Sequence, residues 1–214
     1  MHKCKICKFD TSVLSDSKKK LSYYRCKSCG FLYLDNMFIV DKESEKEQYD
    51  LHENSFESTG YVEMFEKFIA KAIAPYEEDI ESALEFGCGS GPVLAELLRR
   101  RSLAVDIYDL YFYPEKVYEG KKYDLITSTE VFEHLKKPMK VLNMLVEHTA
   151  KNGYIVLMTK FPPKDDKEFL AWWYRRDVTH ISFFTPKSFE LMALKVGLKV
   201  LKTIDNNIVV FQKY

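Results

Sequence analysis

Four of the five cysteines stand as two pairs, Cys4-x-x-Cys7 and Cys26-x-x-Cys29, with 18 residues between them. Each pair presents two thiolates on one tight turn, and four thiolates complete a tetrahedron, which is the spacing of a zinc ribbon. Iron in a rubredoxin-like site is the rival. A closed four-thiolate site has no open coordination position, so the expected role is structural. A segment this short has little core of its own, and the metal would supply much of its folding energy. A second group of chemical interest is Glu85-Phe86-Gly87-Cys88-Gly89-Ser90-Gly91. It follows a predicted strand and opens a predicted helix, the place where open α/β sheets bind ligands. Glycines there let the backbone turn tightly and let a ligand lie against it.

The glycine spacing is G-x-G-x-G, and the position where a dinucleotide fingerprint needs its last glycine is Pro92. This disfavours NAD. Glu85, two residues before the first glycine, suits a ligand with a cationic end; S-adenosylmethionine (SAM) has an ammonium and a sulfonium and no phosphates. Asp109 lies 20 residues after Gly89, at the end of the next predicted strand, where a carboxylate can accept both ribose hydroxyl hydrogens. Asp106 competes for that role but falls within the strand. Cys88 is read as a small residue beside the cofactor. A glycine turn with no ligand is the alternative.

A third motif, Tyr123-Asp124-Leu125-Ile126-Thr127-Ser128-Thr129-Glu130-Val131-Phe132-Glu133-His134-Leu135, completes the set. With the other two it resembles class I SAM-dependent methyltransferases, in the E-x-x-E-H subgroup that includes the ubiquinone-pathway O-methyltransferases. The resemblance covers about residues 60 to 214. It implies that Gly87, Gly89 and Gly91 border the methionine part of SAM, that Asp109 holds the ribose, and that Ser128, Thr129 and Glu130 line the floor near the sulfonium. There is one departure. Only 13 residues separate Asp109 from Tyr123, too few for the helix and third strand that usually end in an adenine-binding acid. The third strand is expected to be reduced or missing, with adenine leaning on Leu110 or Tyr111. Glu130, Glu133 and His134 share a helix face by spacing and can hold a divalent cation or merely stabilise the loop.

The acceptor side is read from Trp172-Trp173-Tyr174-Arg175-Arg176-Asp177-Val178-Thr179-His180. Aromatics with a few polar groups suit a small-molecule pocket. His180 is the candidate general base, because imidazole titrates near neutrality, with Asp177 to orient it and Tyr174 to assist. Arg175 and Arg176 are candidates to read an acceptor carboxylate or phosphate. The structural alternative makes the aromatics core, pairs Arg176 with Asp177 and packs His180 against the cofactor helix. A cysteine ribbon followed by this segment is similar to bacterial zinc-ribbon methyltransferases.

The elements that must position these groups alternate. A helix is predicted over Tyr61 to Tyr76, a strand over Ser82 to Phe86, a helix over Gly91 to Arg100 and a strand over Leu103 to Leu110. A strand over Tyr123 to Thr129, a helix over Pro138 to Thr149 and a buried strand over Tyr154 to Thr159 follow. Thr185, Pro186 and Gly197 cap and end a last helix, and Asn206-Asn207 turns a terminal hairpin. The expected fold is α/β: a Rossmann-like class I methyltransferase sheet with helices on both faces, preceded by a small zinc ribbon. Domains are drawn at 1–36 (ribbon), 37–60 (polar linker) and 61–214 (SAM-binding).

The 214 residues are 46% apolar and 30% charged, with 32 basic and 32 acidic side chains. That is ordinary for a folded soluble chain, and zero net charge argues against a long nucleic acid as main partner. Charge is uneven, however. Residues 1–36 hold eight lysines and arginines against three acids, and residues 41–57 hold seven acids against two lysines. No apolar run approaches the ~20 residues that span a bilayer, and Met1-His2-Lys3-Cys4 begins no hydrophobic signal. No membrane insertion and a cytoplasmic location are expected. The function expected is SN2 transfer of the SAM methyl to a small-molecule acceptor, with oxygen favoured. An RNA base methyltransferase using the ribbon, and a non-catalytic SAM or metabolite binder, are the alternatives.

Overall fold

The computed structural model of the protein describes residues 2–50 and 55–214; Met1 and residues 51–54, which include Glu53 of the acidic stretch, lie outside the described residues. The N-terminal cysteine segment forms strands β1 (Thr11–Asp16), β2 (Leu21–Cys26) and β3 (Leu32–Leu34). Helices α1 (Lys42–Asp50) and α2 (Thr59–Ala72) follow, then β4 (Ser82–Phe86), α3 (Val93–Arg99), β5 (Ala104–Tyr108), β6 (Tyr123–Thr129), α4 (Pro138–His148) and β7 (Thr149–Met158). The chain ends with α5 (Asp166–Ala171), β8 (Ser182–Phe183), α6 (Pro186–Val196), β9 (Leu198–Ile204) and β10 (Ile208–Lys213).

Six strands make the main sheet in the order β5-β4-β6-β7-β10-β9. The first four are parallel, and β10 pairs antiparallel with both β7 and β9. Successive strand residues point to opposite faces, and here both faces are buried. Ala83, Leu125, Val156 and Val210 face α2 and α3, while Leu84, Ile126, Ile155 and Val209 face α4 and α6. That double burial explains the continuous apolar run Tyr154–Met158 of β7. The expected gap is present: β5 is the sheet edge, and an isolated bridge between Asp109 and Tyr113 stands where a third strand would begin. The α6 caps also form as read, with a Thr185–Ser188 capping box, Pro186 in the first turn and Gly197 left-handed at the end.

Two features depart from the sequence reading. The stretch read as an aperiodic linker holds α1, which buries no residue. Asp41 accepts a hydrogen bond from the Ser44 N–H (2.9 Å), Glu43 and Glu45 suit the helix start, and Lys46 pairs with Asp50 at i,i+4. The described acids of this stretch make no ion pair with the N-terminal lysines. Second, the cysteine segment is not a separate appendage. Its sheet runs β1-β2-β3-β8, and β8 comes from the insertion before α6. Cys4, Tyr24, Cys26 and Phe31 share one core with Phe132, Leu142, Phe184 and Phe189. No helix among the described residues is long and apolar enough to cross a membrane.

Candidate active site and cysteine cluster

A cavity of about 690 Å³ opens beyond the C-terminal ends of β4, β5 and β6, within the roughly 300–1,000 Å³ range of small-molecule sites. One wall is the glycine loop. Gly87 (φ 83°) and Gly89 (φ 66°) are both left-handed, and a Cβ on Gly87 would meet Val131 Cγ2 at 2.2 Å. Glycine is therefore required for the loop to pass under the turn after β6. Cys88 lines the same wall, whereas Gly91 lies outside it.

Glu85 is buried, and its Oε2 accepts from the Ala95 N–H at 2.8 Å. Burial pushes its carboxyl up to about 8, against the pull of that hydrogen bond and of Arg99. Asp109 fixes the next turn: Oδ2 accepts from Gly89 N–H (3.0 Å), and Oδ1 from Tyr111 N–H (2.9 Å) and Phe112 N–H (3.1 Å). A carboxylate has about four acceptor positions, so capacity for hydroxyl donors is left. Leu110, Tyr111 and Phe112 line the wall beside it. Tyr111 is held by α1, donating to Glu45 Oε2 (2.7 Å). Tyr49 of α1 also lines the cavity and stands edge-on to the His134 ring (5.1 Å). Sequence reasoning missed Glu45 and Tyr49, because they sit on a helix with no apolar face.

Thr129 and Glu130 line the floor, but Ser128 does not. It points into the interior from β6, fully buried, and its hydroxyl has no partner among the described residues. The period-2 alternation of a strand allows only alternate residues of 127–129 to reach one face.

Trp173, Tyr174, Asp177 and His180 also line the cavity. The Tyr174 hydroxyl donates to Glu130 Oε2 (2.8 Å) and also contacts Glu133 Oε1. One phenolic hydrogen cannot serve two carboxylates, so both contacts are hydrogen bonds only if one carboxyl keeps its proton. Glu133 is the one, since burial and then Glu130 push it well above its ordinary value. Burial and the same two carboxylates push Tyr174 far upward as well. Tyr174 is therefore a hydrogen-bond donor at this site and not a base.

His180 Nδ1 contacts the Tyr174 carbonyl at 2.6 Å. A carbonyl only accepts, so in the neutral ring Nδ1 holds the hydrogen and Nε2 is the acceptor nitrogen. Asp177 Oδ2 lies 3.8 Å from that Nε2. Burial raises the Asp177 carboxyl, but hydrogen bonds from Thr179 and the nearby His180 and His134 outweigh it and hold it below its usual range. His134 Nδ1 likewise meets the Thr179 carbonyl (3.1 Å), and the two imidazoles lie 4.7 Å apart. Ligand atoms of Glu133, His134 and His180 fall within 4.8 Å of one another. This is a different trio from the one the spacing suggested, because the structure brings His180 in where Glu130 was expected.

Two neighbours of these residues belong elsewhere. Arg175 is buried and paired with Asp16 of β1, beneath the rings of Tyr23 and Phe169, so it cannot read an acceptor. Arg176 is exposed and makes no ion pair with Asp177 among the described residues. Trp172 packs with Phe169 and Phe183, leaving Trp173 as the tryptophan of the cavity.

The four cysteines of the N-terminal pairs converge. Sγ separations are 3.7 Å (Cys4–Cys29), 3.4 Å (Cys7–Cys26) and 3.8 Å (Cys7–Cys29). A tetrahedron with Zn–S of ~2.3 Å has an edge near ~3.8 Å, so the thiols stand at metal-ligand separations. Backbone N–H groups of Ile6, Ser28 and Cys29 point at the sulfurs of Cys4 and Cys26 (3.4 Å each).

Residues 60–203 match the family described as Methyltransferase domain. Among solved structures, magnesium protoporphyrin IX methyltransferase from Synechocystis PCC 6803 with bound SAM aligns with a TM-score of 0.55 at 12% identity, covering 83% of this chain and 94% of that one. The mitomycin 7-O-methyltransferase MmcR aligns with a TM-score of 0.55 at 13% identity, covering 83% and 60% respectively. At such identities the likeness is one of fold. No curated protein matches by sequence. The family match spans most of the chain, and with the glycine loop, Asp109 and the parallel sheet behind them it leads to one conclusion: the chain belongs to the methyltransferase-domain family and is a SAM-dependent methyltransferase.

Proposed function

We propose that the protein transfers the SAM methyl group to a hydroxyl oxygen of a small-molecule acceptor in one direct SN2 step. The observation that carries this reading is that the glycine loop, Asp109 and His180 all line one cavity. When bound, SAM supplies an electrophilic methyl carried on a sulfonium. Gly87, Cys88 and Gly89 give its methionine end a close backbone surface, Glu85 and Asp109 supply the carboxylates, and Thr129 with Glu130 form the floor. Leu110 and Tyr111 take the adenine in place of a third-strand acid. The acceptor hydroxyl gives its proton to His180 Nε2, which the Tyr174 carbonyl holds in the acceptor form. Asp177 stabilises the imidazolium, and Trp173 and Tyr174 shield the site from water.

In this reading residues 61–214 are the SAM-binding unit. The segment 1–36 is a structural zinc ribbon held by Cys4, Cys7, Cys26 and Cys29. A second reading, favoured by the meeting of Glu133, His134 and His180 and by a Glu133 Oε2 with no hydrogen bond among the described residues, places a divalent cation there. It would replace the Glu133 proton and lower the pKa of the acceptor hydroxyl.

His180→Ala tests the base directly. Turnover of an accepted substrate should fall by about 10²–10⁴-fold, with SAM affinity unchanged. Equal turnover would remove His180 from the chemistry. A matching loss in His134→Ala, together with dependence on added Mg²⁺ or Mn²⁺ in zinc-replete protein, would favour the cation.

A further inference from the structure

A second recess, of about 410 Å³, lies between the cysteine segment and the start of α4. Lys5 and Lys8 line it from one side, and Lys136, Lys137 and Lys140 from the other. No carboxylate lines it. Six other lysines (Lys3, Lys46, Lys67, Lys71, Lys116 and Lys121) each face an acid. None of the five recess lysines is in an ion pair among the described residues, and Lys5 Nζ donates to Asn36 Oδ1 at 3.4 Å.

The helix end adds to the imbalance. The α4 N-cap, Lys137, makes no side-chain cap bond, and the first turn contains no acid. Lysine is the wrong sign there, since the positive end of a helix dipole favours anions. A filled four-thiolate zinc site carries a net charge of minus two, which offsets at most Lys5 and Lys8. Lys136, Lys137 and Lys140 then converge on the recess with no carboxylate in its lining.

The recess lies beside the active-site cavity, and Lys136 lines both. His134, in the cavity wall, is three residues from Lys137, so their Cα atoms are at most about 11 Å apart. We propose that the recess binds a phosphate or diphosphate group of the methyl acceptor, making the acceptor a phosphorylated small molecule. Its hydroxyl lies at His180 and its anionic group among the lysines. This rests on the methyl-transfer reading above for the location of the acceptor. It also assigns to these lysines the anion recognition that the buried Arg175 cannot provide.

The test uses the full, metal-replete chain with inorganic pyrophosphate as probe, followed by calorimetry. Saturable binding is expected, weakening as salt rises and falling roughly tenfold or more in Lys137→Gln/Lys140→Gln, with SAM affinity unchanged in the same variant. In an acceptor screen, phosphorylated hydroxyl compounds should outperform their dephosphorylated counterparts, and the double variant should raise KM and leave kcat alone. Absence of pyrophosphate binding, or equal binding by the variant, overturns the proposal while SAM binding keeps the methyl-transfer reading intact. Pyrophosphate binding by a chain that takes no SAM overturns the acceptor assignment together with that reading. A short single-stranded RNA that binds far more tightly than pyrophosphate, and loses that binding in the variant, overturns the small molecule in favour of a nucleic acid.

Discussion

Glu85 is the side chain whose surroundings make the sharpest demand on its partner. A fully buried carboxyl near a single N–H donor resists ionisation, which is why it sits at about 8 and not at the ordinary 4.5. A cationic ligand end nearby favours the ionised form, so SAM binding should release a proton. SAM affinity is then expected to rise with pH, by up to about tenfold per unit below that value, and to level off above it. Calorimetry in buffers of different ionisation enthalpy reads both effects. Glu85→Gln should bind SAM more weakly and without the pH slope; a variant with the wild-type slope would show that another group titrates. The same shift has a stability sign. The folded state keeps this proton longer than the unfolded chain does, so stability contributed by the neutral acid is present below 4.5 and is lost as pH rises toward about 8.

Among the elements, the insertion between β7 and α6 ties the two sheets together. Arg175 follows Tyr174 of the cavity wall directly, yet points the other way into a buried pair with Asp16. Removing Arg175 leaves the buried Asp16 with two backbone N–H donors, from Lys18 and Lys19, but no counter-charge, so Arg175→Ala is expected to cost about 3 kcal/mol in urea unfolding. A loss under 1 kcal/mol would mean that water reaches Asp16. This pairing was not legible in the sequence. Arg175 reads as an exposed substrate contact from its neighbours, and nothing local ties it to a residue 159 positions earlier. Strand β8 escaped for a related reason: two residues carry no periodicity, and its pairing with Leu32 and Tyr33 is long-range. What could be read were elements with local signals. Strands β4 and β6 and the Thr185–Gly197 caps fall where their residues place them, and the hairpin turn read at Asn206-Asn207 begins one residue earlier, at Asp205. The missing third strand was legible from chain length alone. The helix α1 was not, since its residues are polar on every side and its role lies in Glu45 and Tyr49 reaching the cavity.

At the scale of the whole molecule, the cysteine cluster and the acceptor wall share one structure. Cys26 and Phe31 lie in the core that holds Phe184, and β3 pairs with β8, which follows His180 by two residues. The Thr185 hydroxyl, which caps α6, also donates to the Cys29 carbonyl (2.6 Å). If the four thiols hold zinc as proposed, stripping it should therefore loosen the acceptor side before the cofactor side. Hydrogen exchange on chelation is expected to rise across residues 174–184 and to change little across β4 and α3. Unchanged exchange at 174–184 would make the cysteine segment independent of catalysis. SAM is expected to occupy the cavity lined by the glycine loop and His180, and calorimetric titration of the metal-replete protein with SAM and its demethylated product decides this. The wild type should bind both and Asp109→Ala neither, with Asp109→Asn intermediate because one carbonyl remains to hold the turn. A folded wild type that binds neither, or an Asp109→Ala variant with undiminished affinity, would contradict it.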